Sequence, residues 1–222
     1  MICKMNTDME GTNDMYGKLP EVIGTFEAKS KEFLWYQYLP IKLVGDEFSI
    51  WKVEERLHSF RRLLSSIINY YIKNFGEEKY LSSYIYLTAK RQYQKNGCGF
   101  NRSGWHSDSF MSDDLNFLWM DKQPTVFNDS NFNLSQDDKL SLIEMKEHAL
   151  PQNNITFPLN SILLLDQYCI HKVGEIEDGV RTFVKITFSD KIFDLEGNSV
   201  NYLLDYDWKM RPRNKQRNVP HQ

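Results

Sequence analysis

The sequence predicts a closed or sandwiched β architecture with supporting helices. Three observations point there. Short β-branched and aromatic runs recur between about Tyr80 and Ser189, with turn signals between them. One long amphipathic segment precedes them, of the kind that backs a sheet. Apolar residues make up 41% and aromatic residues 14% of the 222, enough for one real core.

In chain order, residues 1–20 are polar and are expected to form a flexible N-terminus. Residues 21–80 carry N-terminal strands and a supporting helix. Within them, residues 32–44 (EFLWYQYLPIKLV) read as one or two short strands broken at Pro40. The helix is expected from about Val53 to Phe75. Leu57, Phe60, Leu63, Leu64, Ile67, Ile68 and Tyr71 recur at spacings of three and four, and Gly76 follows as a stop. Residues 81–190 form the β core. It opens with the tyrosine-rich run ending at Tyr93 and is interrupted by Gly97-Cys98-Gly99. Further strands are expected at Asn116–Met120, Thr125–Phe127, Ile155–Phe157, Ser161–Leu165 with an extension toward His171, and Arg181–Ser189. Residues 128–154 interrupt the core, either as a lid or as a surface excursion. Ser135 with Asp138 three positions later resembles a helix start, and that helix is expected to run to His148. Residues 191–222 are a C-terminal extension whose tail carries Lys209, Arg211, Arg213, Lys215 and Arg217 without an acid among them.

Charge and motifs exclude several classes. The 27 basic and 30 acidic residues give −3, so no global basic field marks a nucleic-acid binder. No apolar run approaches the roughly 18 residues of a membrane span. The opening residues lack both the basic start and the apolar run of a secretory signal. Three widely spaced cysteines, Cys3, Cys98 and Cys169, exclude a dense disulfide framework and a zinc ribbon, and a reducing, cytoplasmic setting is the simplest expectation. Phosphate-cradling glycine loops, His-Glu-x-x-His and Gly-x-Ser-x-Gly are absent.

Chemistry concentrates in two of the five histidines. His106 and Asp108 form a His-x-Asp, whose side chains share a face in extended backbone. His171 ends the apolar run that begins at Ser161, and Arg181 follows in Gly179-Val180-Arg181. Two imidazoles and a carboxylate suit one face of Fe(II), leaving the opposite face open for a chelating cosubstrate and O2. A buried distal carboxylate of such a cosubstrate calls for a guanidinium, and Arg181 is suitably placed.

His106-x-Asp108, His171 and Gly179-x-Arg181 together resemble the Fe(II)/2-oxoglutarate-dependent dioxygenase superfamily. The strand from Pro158 into His171 is similar to the one leading to that family's distal iron ligand, and the likeness spans about residues 80–190. It implies a double-stranded β-helix, a cupin-like jelly roll with helices on one sheet. It implies iron held by His106, Asp108 and His171, and 2-oxoglutarate anchored by Arg181. It implies a hydroxylase or oxidative demethylase that converts 2-oxoglutarate to succinate. The family often carries a hydroxyl two residues after the arginine. Phe183 stands there, so Tyr86 or Thr88 on the preceding strand is expected to supply that contact.

Each part also has a plainer reading. The His-x-Asp fits a hydrogen-bonded turn, His171 a core histidine, and Arg181 a surface ion pair. Trp105, Phe117 and Trp119 are either a substrate wall or core. Asn116 and Gln167 are candidate hydrogen-bonders, and period-two counting places Gln167 and Cys169 on the face of His171. Two further functions stay open. One is a non-catalytic jelly-roll module that docks nucleic acid through the basic tail. The other is a metalloenzyme using a different ion without a keto acid. The substrate class (small molecule, protein side chain or nucleobase) and the oligomeric state are not set by the sequence.

Overall fold

The computed structural model describes residues 16–28, 30–96 and 104–213. Its strands are β1 (Glu21–Thr25), β2 (Leu34–Lys42), β3 (Tyr84–Gln94), β4 (His106–Ser107), β5 (Leu115–Met120), β6 (Val126–Asn128), β7 (Asn154–Thr156), β8 (Ser161–Leu165), β9 (Ile170–Lys172) and β10 (Gly179–Ser189). The helices are α1 (Arg61–Phe75), α2 (Glu77–Leu81) and α3 (Leu140–His148). None among the described residues is long and apolar enough to cross a membrane.

The strands form a six-stranded sheet in the order β1-β8-β5-β10-β3-β2 and a four-stranded sheet in the order β4-β9-β6-β7. From β3 onward the chain passes back and forth between the two, and every pairing of these strands is antiparallel. This is the winding of a double-stranded β-helix, or jelly roll. β1 and β2 extend its larger sheet at both edges.

Strand alternation gives the larger sheet two different faces. Ile85, Leu87, Phe117, Trp119, Val184, Ile186 and Phe188 share one core cluster with Leu63, Leu64, Ile67, Ile68 and Tyr71 of α1. The ring of Tyr71 stacks on Phe188 with centroids 3.7 Å apart. The other face looks into the roll. There Leu118 and Met120 of β5 and Leu163 and Leu165 of β8 pack with Phe127 of β6 and Cys169, joining the sheets. The helix therefore closes one side of the sheet and leaves the other for a lined interior.

Several elements differ from expectation, each for a local reason. The helix begins at Arg61 rather than Val53, because Glu55–Phe60 tightens into a 3-10 segment that still buries Leu57 and Phe60. Pro40 does not break β2. It lies in an edge strand, where its missing N–H is tolerated, and bulges beside it take up the irregularity. β1 fell on no expected strand run. The run from Ser161 toward His171 is two strands in different sheets, β8 and β9, because Asp166 accepts the Tyr168 N–H and turns the chain between them. The acid expected to cap α3 is also displaced. Asp137, not Asp138, accepts the N–H groups of Lys139 and Leu140, while Glu144 accepts from the N–H and hydroxyl of Ser135. The glycine break at Gly97-Cys98-Gly99, residues 1–15 of the N-terminus, and Lys215 and Arg217 of the tail lie outside the described residues.

Candidate metal and cosubstrate site

β4 and β9 pair so that His106 stands directly across from His171. Their ring centroids are 4.5 Å apart. Asp108 comes from the turn that follows β4, not from the strand itself. Its Oδ2 lies 3.8 Å from His171 Nε2. One ligand atom from each of His106, Asp108 and His171 falls within 4.8 Å of the others.

The histidine tautomers are set by the backbone. His106 Nδ1 lies 2.9 Å from the Gly104 carbonyl, and His171 Nδ1 lies 3.0 Å from the Cys169 carbonyl. A carbonyl only accepts, so each Nδ1 carries a proton, and in the neutral ring Nε2 is left with the lone pair. That is how metal-binding histidines are usually held. Two neutral imidazoles and one carboxylate, without a thiolate, fit Fe(II).

The turn that presents Asp108 is braced from behind. Ser109 adopts a positive φ of 61°, which non-glycine residues adopt rarely. Buried Asn116 donates to Ser109 Oγ at 2.7 Å and accepts from Thr187 Oγ1 at 2.7 Å. Asn116 thus supports the turn that carries Asp108 from the floor of the larger sheet.

A cavity of about 210 Å³ opens beside these groups. Arg181 lines it and is 3% exposed. Its Nε donates to the Lys122 carbonyl at 2.8 Å, and a terminal nitrogen meets Met120 Sδ at 3.7 Å. Burial lowers its pKa to about 10, so it remains charged at neutral pH. Gly179, at φ 147°, starts the strand that carries it. Thr125 lines the same cavity, and its hydroxyl meets the same sulfur at 3.4 Å.

The two hydroxyls expected from the sequence separate. Thr88 lines the cavity, but it pairs across the sheet with Lys185, not with Arg181. Tyr86 does not line it. Its hydroxyl donates to the Lys191 carbonyl and accepts the Phe193 N–H, and its ring stacks on Phe193. Gln167 and Cys169 are also not among the lining residues, since the turn after β8 ends the period-two count. Trp105 packs with Phe110, Phe132, Met145 and Ile170, while Phe117 and Trp119 lie in the α1 core, so all three are core residues. No lining residue comes from 128–154.

Several residues of the site escaped the sequence reading. Lys185 Nζ lies 3.0 Å from Asp108 Oδ2 and donates to the Tyr38 hydroxyl at 3.3 Å. Burial pushes this ammonium down, but Asp108 more than reverses the effect and keeps it charged. Tyr38 reaches the cavity because the bulge in β2 turns it there, at φ 47°. Lys90 and Arg213 complete the basic lining. Arg213 is held by the Glu196 carbonyl and Asn198, and Arg211 forms a paired ion contact with Asp194, so this part of the tail folds back onto the domain. The available signal was alternation. Arg181, Phe183 and Lys185 occupy every second position of one strand, and Thr88 and Lys90 do so on its neighbour.

The fold and site together define a jelly-roll protein with an internal His-Asp-His cluster beside a basic cavity. No known family profile matches the chain, and no curated protein matches it. Among solved structures, it is similar to EvdO2 from Micromonospora carbonacea var. aurantiaca complexed with 2-oxoglutarate, at 15% identity over 68% of this chain and 71% of that one, with a TM-score of 0.41. It is also similar to the non-heme alpha ketoglutarate dependent epimerase SnoN from nogalamycin biosynthesis, at 15% identity over 70% and 72%, with a TM-score of 0.39. A 2OG-Fe(II) oxygenase family oxidoreductase from Burkholderia pseudomallei matches at 10% identity over 74% and 67%, with a TM-score of 0.37.

Proposed function

We propose that the protein is an Fe(II)- and 2-oxoglutarate-dependent dioxygenase that hydroxylates or oxidatively demethylates its substrate. The observation that carries this reading is the carbonyl-held tautomer of both histidines beside Asp108, in a cavity that also contains a buried arginine. Iron with bound 2-oxoglutarate supplies the activation of O2, with succinate and CO2 as the products of the cosubstrate. The chain supplies position and charge. His106, Asp108 and His171 hold the ion. Arg181 pairs with the distal carboxylate of 2-oxoglutarate, and its contact to the Lys122 carbonyl fixes the direction of the guanidinium. Thr125, joined to Arg181 through Met120 Sδ, donates the hydroxyl contact that Phe183 cannot make. His106, His171, Thr125 and Arg181 are themselves buried, which limits the access of bulk water to them.

The test is cosubstrate turnover. Purified protein given Fe(II) should convert 2-oxoglutarate to succinate slowly without added substrate, and His106→Ala should abolish this. Metal-loaded wild type that neither binds nor consumes 2-oxoglutarate would overturn the proposal.

A further inference from the structure

The cavity holds more positive charge than an ion and its cosubstrate can use. Lys90, Arg181, Lys185 and Arg213 line it, and Asp108 is the only acid among the described lining residues. That leaves a surplus of three positive charges (four minus one) in a chain whose formal net charge is −3. A divalent ion and a dianionic keto acid cancel each other, so loading the site as proposed above leaves the same surplus. Arg181 is then committed to the cosubstrate, while Lys90, Lys185 and Arg213 are not.

Lys185 is also set apart from Arg181 along the strand. Lys185 lies four residues further along β10, about 13 Å at the usual rise of a strand. Lys90 sits on β3 across from Phe183, between the two. The described contact of Lys90 is the face of Trp35, 4.4 Å from the ring centroid. Burial lowers its pKa first, and Lys185 and Arg181 add to that by repulsion. Arg213 enters from the C-terminal segment and is only half buried, as is Lys90. Like charges gathered in a partly dry cavity repel, and burying them costs free energy unless an anion joins them. A volume of about 210 Å³ is small beside ordinary ligand pockets of roughly 300–1,000 Å³, which favours a small molecule over a folded partner.

Resting on the dioxygenase reading, we infer that the substrate is a small molecule bearing an oxyanion, carboxylate or phosphate, held by Lys90, Lys185 and Arg213 at the cavity wall. This assigns those three residues to substrate specificity.

The test is calorimetric titration of the anaerobic Fe(II)- and 2-oxoglutarate-loaded protein with inorganic phosphate and, separately, with acetate at constant ionic strength. At least one should bind saturably. Lys90→Gln and Arg213→Gln should each weaken it about tenfold (about 1.4 kcal/mol), and Arg213→Gln should leave the affinity for 2-oxoglutarate within about twofold. The better-binding probe identifies the oxyanion. If neither probe binds the loaded wild type, or if both variants bind like wild type, the inference is overturned while the dioxygenase reading stands. If wild type fails to take up 2-oxoglutarate at all, the dioxygenase reading itself falls, and this inference with it.

Discussion

At the residue scale, the His106–Asp108–His171 cluster depends on a side chain that is not part of it. Asn116 is fully buried and bridges Ser109, next to Asp108, and Thr187 on the neighbouring strand. Replacing it with leucine keeps the volume roughly but leaves both hydroxyls without this partner. An unsatisfied buried polar group costs about 1–3 kcal/mol. Loss of a supporting hydrogen bond behind a ligand typically lowers metal affinity about 10–100-fold. Asn116→Leu should therefore lose stability in urea and bind Fe(II) or Mn(II) more weakly by calorimetry. An unchanged metal affinity would show that the turn holds Asp108 without Asn116. The sequence exposed His106, Asp108, His171 and Arg181 as a spacing pattern because their chemistry is rare and their order is linear. It hid Lys185, Lys90 and Tyr38. A lysine in a strand reads as solvent-facing until cross-strand register shows which side is enclosed, and Tyr38 enters only through a bulge that no local pattern announces.

At the element scale, the sheets were readable where one face is apolar and one polar, as in β3 and β10. Boundaries set by single hydrogen bonds were not. The turn at Asp166 splits the run from Ser161 to His171 into β8 and β9, and that split is what puts His171 opposite His106. A second joint closes the far end of β2. Lys42 is 1% exposed, and its ammonium donates to the carbonyls of Leu43, Leu81 and Ser83, tying the strand end to the chain after α2. Burial pushes its pKa down to about 8, with Asp46 acting weakly in the opposite direction. The folded protein then releases this proton before the unfolded chain does. Between about pH 8 and the ordinary lysine value near 10.4, the unfolded state binds more protons, so this residue's contribution to stability rises with pH. Urea unfolding of wild type and Lys42→Met at pH 7.5 and 9.5 checks the sign. The wild type should gain on the variant at the higher pH, and a constant difference would mean that Lys42 titrates normally.

For the whole molecule, the site is a product of closure. His106, Asp108 and His171 come from the smaller sheet and its turn, while Arg181 and Lys185 come from the larger one. Residues 106 and 171 are distant in sequence and meet only when β4 pairs with β9. The unfolded chain therefore has no comparable site, and an ion held there must stabilise the folded state by mass action. At a free concentration one hundred times the dissociation constant, the stabilisation is about 2.7 kcal/mol. For a domain of this size each kcal/mol shifts the melting temperature by about 2–4 °C, so the metal should raise it by about 5–10 °C. His171→Ala should melt at the same temperature with or without metal, because it removes one imidazole from the cluster. Arg181→Ala, by contrast, should keep most of the metal-dependent rise and lose the further rise that 2-oxoglutarate gives to the metal-loaded protein. That pattern would separate ligation by the smaller sheet from anchoring by the larger one. A metal-dependent shift that survives His171→Ala would place the ion elsewhere in the fold.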